Sequence, residues 1–324
     1  MTSVDDAYEP PSAQRSRAFR FSLQASHTVD AASLRPLARK AEDLGVSILT
    51  VADHLDDQLS PMVALMAAAD ATTTLRVGSL VFANDYRNPV LLAKEAATLD
   101  QLSGGRFELG LGAGWMRVDY EGLGIPMDSP GVRIERLDES LGLIKSLWSG
   151  ETITHAGANY CVSDLRCAPL PVQKPGPPIW VGGGGLKVLA VAGRHADVVH
   201  LNPSLAAGVL DHRVGPTATA ESTLEKLAVV SQHAGERFAG MEIGVRIHLA
   251  LVTQDRDSIV EAMASGFGLT TQQARNSPHA LCGTVEQIAE DLRERRERFG
   301  ISNIGLSAAA LDDMAPVIAL LAGT

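Results

Sequence analysis

Cysteine is scarce in this chain, aromatic residues make up only 4% of it, and cations are outnumbered by acids. The three cysteines, Cys161, Cys167 and Cys282, form neither a C-x-x-C metal pair nor an even set for a disulfide framework, so reduced thiols are expected. H-E-x-x-H and closely spaced Cys/His sets are missing, which leaves a catalytic zinc without support. G-x-S-x-G and G-x-x-x-x-G-K-S/T are missing as well, which removes the simplest hydrolase and P-loop arguments. With 28 Lys and Arg against 38 Asp and Glu, the net charge of −10 argues against a broad surface for a phosphate backbone. Small-molecule partners are expected, not nucleic acid, with room for a local basic pocket. No apolar run is long enough to span a bilayer, and the N-terminus lacks a basic-then-apolar leader. The expectation is a cytoplasmic protein without membrane contact.

What the chain does have is 45% hydrophobic residues over 324 positions, enough for a large core. After residues 1–18, which carry no hydrophobic period and read as a flexible tail, a grammar repeats: a short apolar run, a polar or glycine loop, then a stretch of helical period. Strands are expected at 19–24, 46–52, 76–83, 106–111, 179–181, 197–201, 243–252 and 303–307. Helices fall between them, with Ser33 placed to cap the first and Pro61 and Pro89 to open the next two. Eight strands with intervening helices predict an α/β fold, a (β/α)8 TIM barrel. Two stretches interrupt the alternation and read as rim insertions: 149–178, proline-rich with a possible β-hairpin, and 255–280. No Gly/Ser linker divides the chain, so 19–324 reads as one domain.

A (β/α)8 barrel does its chemistry where strands run out into loops at the C-terminal face. Asp53 and His54 follow the second strand there. The imidazole suits proton transfer, and Asp53 or Asp56 could orient it. Gly182, Gly183, Gly184 and Gly185 lie between the fifth strand and a helix, where converging backbone N–H groups suit a phosphate; a tight turn needing only positive φ is the plainer alternative. Gly110, Gly112 and Gly114 follow the fourth strand and permit close approach of a flat ring, with Trp115 as a lid or as a core aromatic. His27 and His200 are weaker rim candidates. His155, His195, His212, His233 and His279 fall on helices or irregular stretches and read as solvated or core residues.

The run Tyr86-Arg87-Asn88-Pro89, then Leu91, Ala93-Lys94-Glu95-Ala96-Ala97-Thr98-Leu99-Asp100 and Leu102-Ser103-Gly104-Gly105-Arg106-Phe107-Glu108-Leu109-Gly110-Leu111-Gly112-Ala113-Gly114-Trp115, resembles the luciferase-like monooxygenase superfamily. It is most similar to the branch that uses the 5-deazaflavin coenzyme F420. Residues 42–54 and 179–197 extend the likeness. It implies a TIM barrel with rim insertions, a homodimer, and hydride transfer between coenzyme F420 and a small organic substrate. It also implies roles. His54 matches an active-site proton donor or acceptor, and Asp53 an acidic neighbour beside the coenzyme. Ser79 and Leu80 stand where relatives carry a non-prolyl cis peptide against the ring. Gly112, Gly114 and Trp115 match the loop over the ring, and Gly182 to Gly185 the phosphate turn. Trp115 departs from the dehydrogenases, which place a glutamate there, and this makes the pocket more apolar. The alternatives are an FMN-dependent monooxygenase using reduced flavin and oxygen, a non-catalytic flavin-binding protein, and a metal-dependent barrel lyase or isomerase.

Overall fold

The computed structural model describes residues 8–25, 29–205 and 211–324; His27 and residues 1–7 of the expected tail lie outside them. Eight parallel strands close into a barrel: β1 (Arg20–Ala25), β2 (Ile48–Val51), β3 (Arg76–Ser79), β4 (Phe107–Gly112), β5 (Ile179–Gly183), β6 (Val198–Leu201), β7 (Glu242–Arg246) and β8 (Ile301–Ser307). Closure runs through β3 and β4, with Val77 opposite Phe107, and through β1 and β8, with Phe21 opposite Ile304. Such strands are covered on both faces, which is why they read as unbroken apolar runs. β2 and β6 are buried at every position.

Helices surround the barrel. Pro61–Asp70, Pro89–Leu102 and Pro130–Trp148 each begin on a proline whose missing N–H has no partner to lose. Ser33 does not cap the first long helix, Leu34–Asp43. Asp30 serves that turn instead, accepting from the N–H groups of Ala32 and Ser33 and from the Ser33 hydroxyl. A carboxylate three residues earlier reaches more donors than a hydroxyl held in helical geometry.

The structure revises other boundaries. Part of residues 8–18 packs against the barrel, with Pro10 and Gln14 buried and Glu9, Ser12, Ala13, Ser16 and Ala18 exposed. Gln14 is fully buried in the short helix Ser12–Arg15, and its amide donates to the carbonyls of Phe238 and Met241. One buried glutamine has no period to read, so the sequence hid it. The third strand, expected as one run, breaks after Ser79 and resumes at Phe82–Ala83. The seventh stops at Arg246, and Leu249–Val252 pairs with Ala280–Gly283 in a separate two-stranded parallel sheet. Between that pair lie the helices Arg256–Phe267 and Thr271–Arg275. The stretch 149–178 holds the antiparallel hairpin Thr152–Ala156 and Cys161–Arg166. Its turn is held by Glu139, which accepts from the N–H groups of Asn159 and Tyr160, and Asn84 donates to the Tyr160 hydroxyl. Among the described residues no helix is long and apolar enough to cross a membrane.

Period-2 alternation sends every second strand residue into the lumen. At its N-terminal end Arg20 bridges Glu108 and Glu242, Arg76 reaches Glu108, the Trp180 indole donates to Glu108, and Asn303 donates to Glu242. Burial pushes the Glu108 carboxyl up, and Arg20 and Arg76 outweigh that and hold it below the usual carboxylate range. Above this floor Ile48, Trp180 and Val198 form an apolar layer.

Candidate active site

The C-terminal mouth is shaped by three neighbouring strand ends. β2 delivers Asp53 and His54. Asp53 is buried, and its carboxylate accepts from the Ala83 N–H (3.0 Å) and from both ends of the Arg87 guanidinium. It ties the chain after β3 to the end of β2, and neither it nor the exposed Asp56 orients the imidazole, contrary to the expectation.

That part falls to Asp119. Its Oδ2 lies 2.7 Å from His54 Nδ1, and its Oδ1 accepts from the Leu55 N–H at 3.2 Å. A carboxylate oxygen accepts, so Nδ1 carries the hydrogen and Nε2 is the nitrogen left to act. Among the described residues no protein atom hydrogen-bonds to that Nε2, and the ring meets Trp115 edge-on, centroids 5.6 Å apart. Asp119 arrives on Arg117–Leu123, a seven-residue helix ending at Gly124 in left-handed geometry. The next residue, Tyr120, locks that helix by donating to Asp85 and to the Ala113 carbonyl. Gly114 has φ of +75°, and a Cβ there would stand 2.2 Å from the Tyr120 hydroxyl, so glycine is obligatory. Burial pushes the Tyr86 hydroxyl, edge-on to Tyr120 at 5.3 Å, above the usual range, and Asp119 adds to the shift.

The break in the third strand is the second feature. Its non-prolyl cis peptide joins Leu80 and Val81, one bond later than the Ser79-Leu80 position expected. Ser79 is fully used within the wall: its Oγ donates to the Gly110 carbonyl and accepts from the Gly110 N–H. Leu80 turns inward, half-buried against the Ile48, Trp180 and Val198 layer. This segment explains two glycines of β4. A Cβ on Gly110 would overlap the Ser79 carbonyl oxygen, and one on Gly112 would meet Val81 at 2.7 Å.

The third feature is the end of β5. None of Gly182, Gly183, Gly184 and Gly185 has positive φ. Space, not turn geometry, selects the middle two: Cβ atoms there would meet Val188 at 2.4 Å and the Pro203 carbonyl oxygen at 2.3 Å. Gly185 has nothing within 4 Å of that position and sits at the N-cap of Leu186–His195, where no side chain caps the helix. A helix start without a side-chain cap leaves amide donors free.

His200 leaves the list of rim candidates. It lies inside the lumen, stacked on Trp180 at 5.8 Å, and burial pushes it down to about 3. His155 and His195 are held by Glu139 and Asp138 on the outer surface, and His279 is buried against the Arg246 carbonyl. Asp119 is the residue the sequence reading missed. Its one signal was an acid in the first turn after a glycine run, on a helix too short to show a period.

The chain as a whole has known relatives. The family model described as luciferase-like monooxygenase matches residues 17–277. The chain belongs to the luciferase-like monooxygenase family. Among characterised relatives, an FMNH2-dependent dimethylsulfone monooxygenase of Pseudomonas putida is 28% identical over 267 residues, 78% of this chain and 68% of that protein. An F420-dependent glucose-6-phosphate dehydrogenase of Kineococcus radiotolerans is 33% identical over 172 residues, so the match spans only half of each protein. Among solved structures, the coenzyme F420-dependent tetrahydromethanopterin reductase of Methanopyrus kandleri superposes with a TM-score of 0.73 at 18% identity, covering 94% of this chain and 98% of that one. At that identity the likeness speaks for the fold. The luciferase-like barrel therefore stands, and its relatives include both F420 and FMN enzymes.

Proposed function

We propose that this protein is an F420-dependent oxidoreductase acting on a small organic substrate at the barrel mouth, with His54 moving the accompanying proton. The observation that carries the proposal is the His54–Asp119 pair at the end of β2. One imidazole nitrogen is pinned, and the other meets no protein partner among the described residues, in a half-buried ring set edge-on to Trp115. The residues suit a ringed, phosphate-bearing coenzyme: Leu80, Val81 and Trp115 offer apolar surface for a ring, and the uncapped helix start at Gly185 has open space for an anion.

When bound, the deazaflavin supplies or accepts the hydride. The protein's own part is positioning and proton movement. His54 gives or takes a proton at Nε2. Asp119 fixes its tautomer and stabilises the imidazolium, and Trp115 packs against the ring edge. Asp53 and Arg87 hold the segment after β3 in place, and the amides at Gly185 meet the phosphate. Gly112 and Gly114 act by letting the wall pass close to Val81 and Tyr120. The partner is a small molecule, and the working unit is a homodimer.

A second reading, an oxygenase using reduced FMN, is favoured by the relative matched over 267 residues. Titration of the purified protein with F420 and with FMN, followed by fluorescence, separates the two. Binding of F420 alone supports the proposal, and binding of FMN alone replaces it with the second reading. If His54→Ala binds F420 like the parent and keeps its full turnover on every substrate the parent accepts, His54 is not the proton carrier.

A further inference from the structure

One cation at the mouth has no part in this scheme. Along β7, Glu242 faces inward to bond Arg20 and Asn303, and a Cβ on Gly244 would stand 2.7 Å from His200 Cδ2. The same alternation turns Arg246, the last residue of the strand, into the lumen above the His200 imidazole. Its Nη1 is buried without a hydrogen-bond partner, and among the described residues no carboxylate pairs with the guanidinium. The contrast with other arginines of the barrel is sharp. Arg20 and Arg76 pair with Glu108, and Arg87 pairs with Asp53. A buried guanidinium with an empty donor carries a desolvation cost that an incoming acceptor removes.

The surroundings limit what that acceptor can be. His200 Nε2 and His279 Nε2 are also buried without partners, and His248 Nε2 meets Asn202 at 2.7 Å. Burial, with Arg246 adding its charge, pushes His200 to about 3, and burial likewise depresses His279, so both buried imidazoles are neutral at physiological pH. Burial brings Arg246 down only to about 10, so it keeps its charge. Lys226 and Arg295 reach His279 as well, but both donate to backbone carbonyls, Lys226 to those of Asn202 and Thr217 and Arg295 to those of Pro278 and Ala280.

We infer that Arg246 is the receptor for a singly charged anionic group, a carboxylate or sulfonate, on the small-molecule substrate. The planar fork of the guanidinium matches such oxygens two at a time. A phosphate monoester would bring a second negative charge to a single open guanidinium, with neutral His200 and His279 beside it and, among the described residues of the cluster, no further open cation to match that charge. The assignment to substrate rests on the proposed reading of the mouth, in which the coenzyme phosphate goes to the amides at Gly185.

Calorimetric titration of the whole chain, with and without coenzyme, tests this using four probes: hexanoate, hexanesulfonate, the neutral hexanamide and hexyl phosphate. The two monoanions are expected to bind at least about tenfold more tightly than hexanamide. Arg246→Met removes that preference while leaving hexanamide and coenzyme affinity unchanged. Arg246→Lys keeps the charge and loses the fork, so it gives an intermediate affinity and serves if the Met variant fails to fold. Unchanged monoanion binding in the variants overturns the inference. So does a parent preference for hexyl phosphate, or a loss of coenzyme affinity in place of monoanion affinity. If the parent binds neither F420 nor FMN while Arg246→Met still abolishes monoanion binding, the proposed function falls and the anion receptor stands.

Discussion

The two ends of the barrel lumen handle charge in opposite ways. At the N-terminal end the carboxylates are answered, although the buried Asn303 Oδ1 has no partner: Glu108 has two arginines and an indole, and Glu242 has Arg20 and Asn303. At the C-terminal mouth, polar groups are left open. Among the described residues, His54 is held at one nitrogen and free at the other, and no carboxylate pairs with Arg246. Both ends are built of buried ionisable groups, so burial and charge alone do not separate structure from chemistry. Closure does. A network whose charges are all paired stabilises the barrel, whereas a charged or titratable group left with an open donor or acceptor at the mouth is available to something from outside.

Breaking each end in turn tests that distinction. His54→Ala should lower kcat/KM on the order of 100- to 10,000-fold, the range for a lost general acid or base, with an unchanged thermal unfolding curve. Glu108→Gln should do the reverse. The variant leaves Arg20 with Glu242 alone and takes from Arg76 the carboxylate it bonds, which costs on the order of 3 kcal/mol, read as a lower urea midpoint, while the surviving folded molecules bind coenzyme normally. If Glu108→Gln changed turnover and not stability, the floor would be part of the site and the comparison would fail. Asp119→Asn is intermediate. It keeps a partner for Leu55 and weakens the hold on His54, so kcat should drop on the order of 10- to 100-fold, as with other groups that orient an imidazole, at constant coenzyme affinity.

The smallest effect belongs to Glu42, below the floor, whose Oε1 accepts from the N–H groups of Thr73, Thr74 and Leu75. Burial pushes this carboxyl up, and those donors together outweigh it and bring it from about 4.5 to about 2. A depressed carboxyl contributes stability that is fully present above its unfolded value and is lost as pH falls through the folded one. Between pH 4.5 and pH 2, Glu42→Gln should flatten the acid loss of stability, measured by unfolding midpoints across that window.

Much of the barrel was legible because its signals are local. Apolar runs buried on two faces, prolines opening helices and a glycine closing Leu34–Asp43 are read from neighbours in sequence, and they placed the starts of all eight strands closely, while the third and seventh were carried too far. The break at Leu80–Val81 was legible only through resemblance, and then one bond early. His54 was visible as a histidine at a strand end. Its partner was not, because Asp119 is 65 residues away and Asp53 stood next to it. Adjacent residues on an extended chain point apart, so the nearer acid turned to Arg87 and the distant one closed on the imidazole.

The glycines show the same division. Composition and spacing alone determined that Gly110, Gly112, Gly114 and Gly182 to Gly185 would sit at strand ends, because glycine marks where the pattern of apolar runs stops. Which atoms press on them was decided in three dimensions: the Ser79 carbonyl, the Val81 methyl and the Tyr120 hydroxyl each arrive from another part of the chain. The sequence by itself determined the barrel and the strand ends that carry its chemistry, since periodicity and turn preference act over a few residues. Tertiary structure decided which charges are matched and which stay open, since that depends on barrel closure bringing β2, β4 and β7 around one lumen.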